Sequence, residues 1–257
     1  MVQVRSLEIR GTSVDEIRNF EYNCIGESYI EKMSKTGEKH VPVDLALCIA
    51  RDVACALAEL HSKHIIHRDV KSENILIDLD SKRADAMPVV KLCDFDRAVP
   101  LRSFLHTCCI AHRGIPPPDV CVGTPRWMAP EVLQAMYKRN LYGLGVDIWS
   151  YGCLLLELLT LQVPYSGLSE FHINDLLQMG KRPPLTDELE RLVSMNEPAA
   201  TQSGSDVAGP EAELENLKFL VDLFIRCTEG NPANRPTATE IYELLLVHTN
   251  TFTSSRN

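Results

Sequence analysis

His67-Arg68-Asp69-Val70-Lys71-Ser72-Glu73-Asn74-Ile75-Leu76 is the stretch around which the chain is organised. It sets a carboxylate, an ammonium and an amide (Asp69, Lys71, Asn74) at spacings of two and three residues. That set suits a hydroxyl attacking a phosphoryl group. Asp69 can accept the hydroxyl proton, Lys71 can neutralise charge on the transferring phosphate, and Asn74 can offer a neutral oxygen to Mg²⁺. The apolar pair Ile75-Leu76 anchors such a loop on a short strand. Alone, a His-Arg-Asp tripeptide reads equally well as a polar turn between a helix and a strand.

The rest of the chain supplies the context. Asp94-Phe95-Asp96 follows the β-rich run Val89-Val90-Lys91-Leu92-Cys93. Gly123-Thr124-Pro125-Arg126-Trp127-Met128-Ala129-Pro130-Glu131 and Asp147-Ile148-Trp149-Ser150-Tyr151-Gly152 come next, and Arg235-Pro236 comes last. Five motifs in this order resemble the C-terminal lobe of a eukaryotic protein kinase, over residues 41–248. The resemblance implies an α+β fold of protein-kinase type, with a mostly helical C-lobe and a largely missing N-lobe.

It also implies roles. Asp69 accepts the substrate proton. Lys71 and Asn74 complete the catalytic set, and Lys71 is the residue expected of the serine/threonine class. Asn74 and Asp94 fall where the family holds Mg²⁺, which bridges the phosphates of ATP. Leu76 packs under the adenine, so Lys71, Asn74, Leu76 and Asp94 together form the nucleotide side of the site. Thr124 packs near Asp69. Glu131 and Arg235 resemble the buried ion pair that fixes the activation segment. Asp147 holds the backbone of the catalytic loop. Arg68 implies a basic pocket for a phosphorylated loop residue, with Ser103 and Thr107 as candidates. The wording from Gly123 to Glu131 resembles the tyrosine-kinase-like group, which includes Raf-like and plant receptor-like kinases. Asp96 stands where the family has glycine, which restricts the loop and adds a carboxylate near the cation.

Residues 1–40 fit the pattern less well. Ser13-Val14-Asp15-Glu16 is a capping box, with Ile17, Phe20, Cys24 and Ile25 at helical spacing behind it, so a helix is predicted over 14–26. By resemblance it is the αC helix, with Glu27 as the candidate partner of a strand lysine, and Tyr29–Met33 is the helix after the hinge. The first 66 residues hold only Gly11, Gly26 and Gly37, from which no Gly-x-Gly-x-x-Gly can be built. Lys32, Lys35, Lys39 and Lys63 all lie in polar or helical surroundings. A complete kinase places roughly 100 or more residues before its catalytic loop. Residues 1–40 therefore read as an N-lobe remnant, and turnover is expected to be weak or absent.

Further along, Asp44 is expected to cap a helix whose apolar stripe is Ile49, Val53, Ala56, Leu57 and Leu60. Asp78–Met87 reads as a charged hairpin tip. Asp147–Thr160 is apolar on almost every side and must be buried all round. Residues 187–216 carry eight carboxylates against one base, Arg191, and read as a flexible acidic insertion. Thr237-Ala238-Thr239-Glu240 caps the last helix, and 249–257 reads as a polar tail.

Composition narrows the alternatives. An apolar content of 45% in 257 residues is ordinary for a chain with a buried core. The formal charge of −9 and the lack of a basic run argue against nucleic acid as a partner. No apolar run reaches membrane-spanning length, and the N-terminus lacks a secretory signal. The nine cysteines have no regular framework and read as reduced thiols in a cytoplasmic protein. His106, Cys108, Cys109, His112 and Cys121 match no structural zinc spacing. Two functions stay open: a serine/threonine protein kinase using ATP and Mg²⁺ on protein substrates, or a catalytically inactive kinase lobe acting as a scaffold or decoy.

Overall fold

A helix that is apolar on every side has to be wrapped, and Gly145–Thr160 is the post around which this chain packs. The computed structural model describes residues 23–24, 29–82, 87–101, 123–138, 142–194 and 210–254. In chain order the elements are β1 (Asn23–Cys24), α1 (Ile30–Lys35), α2 (Val43–Ser62), β2 (Ile65–Ile66), β3 (Ile75–Lys82), β4 (Pro88–Leu92) and β5 (Val99–Pro100). Then follow α3 (Pro130–Lys138), α4 (Gly145–Thr160), α5 (Glu170–Gln178), α6 (Asp187–Ser194), α7 (Pro210–Cys227) and α8 (Ala238–Ser254). This is the mostly helical α+β architecture that the motifs imply.

All residues of α4 from Val146 to Leu159 are buried. On one side α4 packs with α2, α7 and α8 around Ile49, Val53, Leu57, Leu154, Phe224 and Leu245. On the other it packs with α3 and α5 around Trp149, Val132, Tyr165 and Ile173. The Tyr151 hydroxyl donates to the Ala50 carbonyl at 2.9 Å, which ties α4 to α2. Gly152 lets α7 come close: a Cβ there would lie 2.6 Å from Thr228 Cγ2 and 3.0 Å from Cys227 Cβ. Among the described residues, Cys48, Cys55, Cys93, Cys153 and Cys227 form no disulfide.

The sheets are small. β3 pairs antiparallel with β1 and β4, and β2 with β5. Ile75 and Ile77 of β3 face the core, while Leu76 between them is half-buried on the opposite face. The β3–β4 hairpin carries the charged insertion, whose residues 83–86 lie outside the described residues.

Four expectations need correction. Asn23 and Cys24 fall in the helix that the spacing predicts over 14–26, but they form β1, opposite Ile77 and Leu76. The edge of β3 supplies partners for their backbone groups, and such pairing outweighs local periodicity. The remainder of that predicted helix, Glu27 included, lies outside the described residues. Asp44 sits in the first turn of α2 and favours its dipole, but Pro42 is the N-cap and makes no side-chain capping bond. The acidic stretch 187–216 is helical at both ends, as α6 and the start of α7, and 195–209 lie outside the described residues. The polar tail begins inside a helix, since α8 continues to Ser254. Thr249 meets its polar need there by donating its hydroxyl to the Leu245 carbonyl at 2.8 Å. The capping box at Thr237 and Glu240 is formed as the sequence predicts.

Candidate active site

The site begins with a buried charge. Asp147, in the first turn of α4, is fully buried. Its Oδ2 accepts from the His67 backbone N–H at 2.8 Å and from His61 Nε2 at 2.9 Å. Its Oδ1 accepts from the Arg68 N–H at 2.8 Å. Three donors offset the desolvation of this carboxylate. They also hold Arg68 at φ +70°, a left-handed conformation costly for a non-glycine residue. The backbone turn that presents Asp69 is thus fixed from below by the central post.

His67 adds a second fixation. Its Nδ1 accepts from the Asp69 N–H at 3.3 Å, so Nε2 carries the proton and donates to the Cys93 carbonyl at 3.0 Å. Burial lowers the imidazole pKa and outweighs the raising effect of the Asp147 charge, which keeps this one tautomer neutral. The ring meets Phe95 edge-on at 5.0 Å. His67 therefore joins the catalytic loop to the segment that carries Asp94.

Asp69 is buried, and donors surround its carboxylate. Thr124 Oγ1 donates to Oδ1 at 2.8 Å, and Arg97 Nη1 lies 3.1 Å from the same oxygen. Asn74 Nδ2 donates to Oδ2 at 3.2 Å and to the Asp69 carbonyl at 2.7 Å. Lys71 Nζ stands 4.0 Å from Oδ2, while its closer partner is Glu73 at 2.5 Å. Gly123 brings Thr124 in: its φ is +138°, and a Cβ there would stand 3.0 Å from the Arg68 carbonyl.

Asn74 spends its amide nitrogen on Asp69, which leaves Oδ1 uncommitted among the described residues. The Cys93 N–H donates to the Asn74 carbonyl at 2.9 Å, so Asp94 begins one residue from this contact. Asp94 is exposed at φ +60°, and its Oδ1 accepts from the Asp96 N–H at 3.4 Å. One amide oxygen and one exposed carboxylate are hard donors of the kind Mg²⁺ takes beside phosphate oxygens and water. The residues present fit that ion. Leu76 presents its half-buried side beside Cys24 and Lys91.

Glu157 braces the loop from the far end of α4. It is buried, and it accepts from the Ser72 N–H at 3.2 Å, the Ser72 hydroxyl at 2.6 Å and Trp127 Nε1 at 2.6 Å. Burial pushes its carboxyl up to about 7, against the Ser72 and Trp127 bonds that favour ionisation. Arg235 grips Glu131 with two nitrogens at 2.6 and 2.9 Å, and donates to the Gly145 and Glu229 carbonyls at 2.8 Å. Its guanidinium lies 5.1 Å from the Trp149 ring centre.

The structure therefore brings Asp69, Lys71, Asn74 and Thr124 together, with Asp94 and Leu76 at the margins. Ser103, Thr107 and the Cys/His residues of 106–121 lie outside the described residues. Sequence reasoning missed Arg97, Glu157 and His61. A carboxylate alone in an apolar helical run was the available signal for Glu157. Arg97 and His61 carried none, since their partners are 28 and 86 residues away along the chain. No helix of the described residues is long and apolar enough to cross a membrane.

Comparison with known proteins gives the family. Mitogen-activated protein kinase kinase kinase 1 of Arabidopsis thaliana is 32% identical over 191 residues, 74% of this chain and 24% of that protein. The mitogen-activated protein kinase kinase kinase YODA of the same plant is 31% identical over 194 residues, covering 75% and 16%. Serine/threonine-protein kinase fray1 of Dictyostelium discoideum is 30% identical over 203 residues, covering 79% and 28%. The chain thus spans less than a third of the length of each of these relatives. The profile of the protein kinase domain matches residues 19–246, from just before β1 almost to the end of α8. With its catalytic loop held by a buried carboxylate and its Asp69 ringed by donors, the chain belongs to the protein kinase family.

Proposed function

We propose that this chain transfers the γ-phosphoryl group of ATP to serine or threonine hydroxyls of protein substrates. The observation that carries the reading is the Asp69 carboxylate, buried yet held by hydrogen bonds from Thr124 and Asn74. In this reading Asp69 accepts that proton, and Lys71 leaves Glu73 to meet the phosphate. Asn74 and Asp94 would hold Mg²⁺, which would supply charge neutralisation at the phosphates. Leu76 would pack under the adenine.

The wording from Gly123 to Glu131 supports a place in the tyrosine-kinase-like group, beside Raf-like kinases. Residues 1–40 belong to the N-lobe side of the site in this proposal. A second reading, a kinase lobe acting as a scaffold or decoy without catalysis, is favoured by one observation. Residues 1–66 contain no glycine-rich phosphate loop. Calorimetric titration of ATP with Mg²⁺ separates the two. Saturable binding that disappears in Asp94→Ala supports the enzyme, and a folded protein that binds no nucleotide supports the scaffold.

A further inference from the structure

Arg97 stands just after Asp94-Phe95-Asp96, and it is the least expected of the groups on Asp69. Its Nη1 lies 3.1 Å from Asp69 Oδ1 in an ion pair. That nitrogen is buried and makes no hydrogen bond among the described residues, so charge rather than a well-aligned bond holds it there. The Arg97 backbone is fixed separately: its carbonyl accepts from Arg68 Nε at 2.5 Å. Arg68 directly precedes Asp69, so both ends of Arg97 are tied to the catalytic loop.

The two oxygens of Asp69 are not equivalent. An ionised carboxylate offers about four lone-pair sites, two on each oxygen. Oδ1 faces two groups, the Thr124 hydroxyl at 2.8 Å and the Arg97 cation at 3.1 Å. Oδ2 takes one hydrogen bond, from Asn74 at 3.2 Å, and Lys71 at 4.0 Å is beyond bonding distance. Oδ1 thus carries a short hydrogen bond and a cation, and Oδ2 a single longer hydrogen bond.

We infer that Arg97 is a positioning residue, which with Thr124 occupies Asp69 Oδ1 and leaves Oδ2 as the oxygen that takes the substrate proton. The inference rests on the phosphotransfer role proposed for Asp69. The proton passes from the attacking hydroxyl to Oδ2, on the side where Lys71 stands. Without Arg97 the carboxylate keeps Thr124 on Oδ1 and the longer Asn74 bond on Oδ2, and loses the cation that fixes its plane. The direction of Oδ2 is then held less firmly.

The test is radiolabelled transfer from ATP to a serine/threonine peptide mixture, with ATP and ADP affinities measured by calorimetry on the same preparations. Arg97→Gln is expected to lower kcat on the order of 10-fold to 100-fold, the scale of a small misplacement of a reacting group. KM for peptide and affinity for both nucleotides should stay at the wild-type values. Arg97→Lys should recover part of kcat, because the ammonium keeps the charge and loses the planar fork. An unchanged kcat in Arg97→Gln overturns the inference, and so does a rise, which would mean that Arg97 blocks the base. Loss of affinity for ATP but not ADP also overturns it, by placing Arg97 on the terminal phosphate. Wild-type protein that transfers nothing overturns the proposed function and this inference together. Active wild type with an indifferent Arg97→Gln overturns this inference alone.

Discussion

Replacing Asp147 with alanine removes the acceptor shared by two backbone N–H groups and one imidazole, all within 2.9 Å of its oxygens. All three donors would then be stranded at the base of the catalytic loop. An unsatisfied buried donor costs about 1–3 kcal/mol, and cutting one side of a buried charged contact costs about 3–5 kcal/mol. The left-handed Arg68, at φ +70°, loses the bond that enforces it and releases about 1–2 kcal/mol of strain. The net loss is about 3 kcal/mol, a large part of the roughly 5–15 kcal/mol that a domain has. At a urea slope of about 2–3 kcal/mol/M, the midpoint falls by about 1 M or more. Fluorescence of the buried Trp127 and Trp149 reports the transition. Asp147→Asn keeps the shape but turns an amide donor toward these donors, so it should lose most of the same stability. Wild-type midpoints in both variants would refute the view that Asp147 is the anchor of the loop.

Glu157 predicts a pH dependence of unusual sign. Its carboxyl is raised from an ordinary 4.5 to about 7, chiefly by burial, so the folded state binds the proton more tightly than the unfolded chain. The stability it contributes is complete below about 4.5 and is lost as pH rises through about 7, a change of about 3 kcal/mol. Urea midpoints of wild type minus Glu157→Gln should therefore fall between these pH values, and a difference that stays flat or rises contradicts the assignment. Glu131→Gln breaks one side of the pair with Arg235, whose side chain is almost fully buried. About 3 kcal/mol of stability should be lost in the same assay, and an unaltered midpoint would show that the Gly145 and Glu229 carbonyls alone satisfy Arg235.

Much of the site could be read from local spacing. Asp69 and Asn74 meet because a loop with a single 3₁₀ turn, Ser72–Asn74, folds five residues back on themselves. The α4 helix was legible because its apolar residues leave no face for water. Thr124, Glu131 and Arg235 were placed by motif order rather than by any local physics. What stayed hidden depends on tertiary contacts. β1 is two residues long and exists because β3 offers an open edge. Arg97 and His61 reach partners far away in the chain, and nothing in their neighbours marks them. The raised carboxyl of Glu157 follows from burial, which only the packed structure supplies.

The most direct test of the account is phosphoryl transfer itself. Wild-type protein, Asp69→Asn and Asp94→Ala are incubated with γ-labelled ATP, Mg²⁺ and a mixture of serine/threonine peptides, and label in peptide is counted. The account predicts incorporation on serine and threonine by the wild type, and none above background by either variant. Incorporation that persists in Asp69→Asn, or a folded wild type that labels nothing, would contradict it.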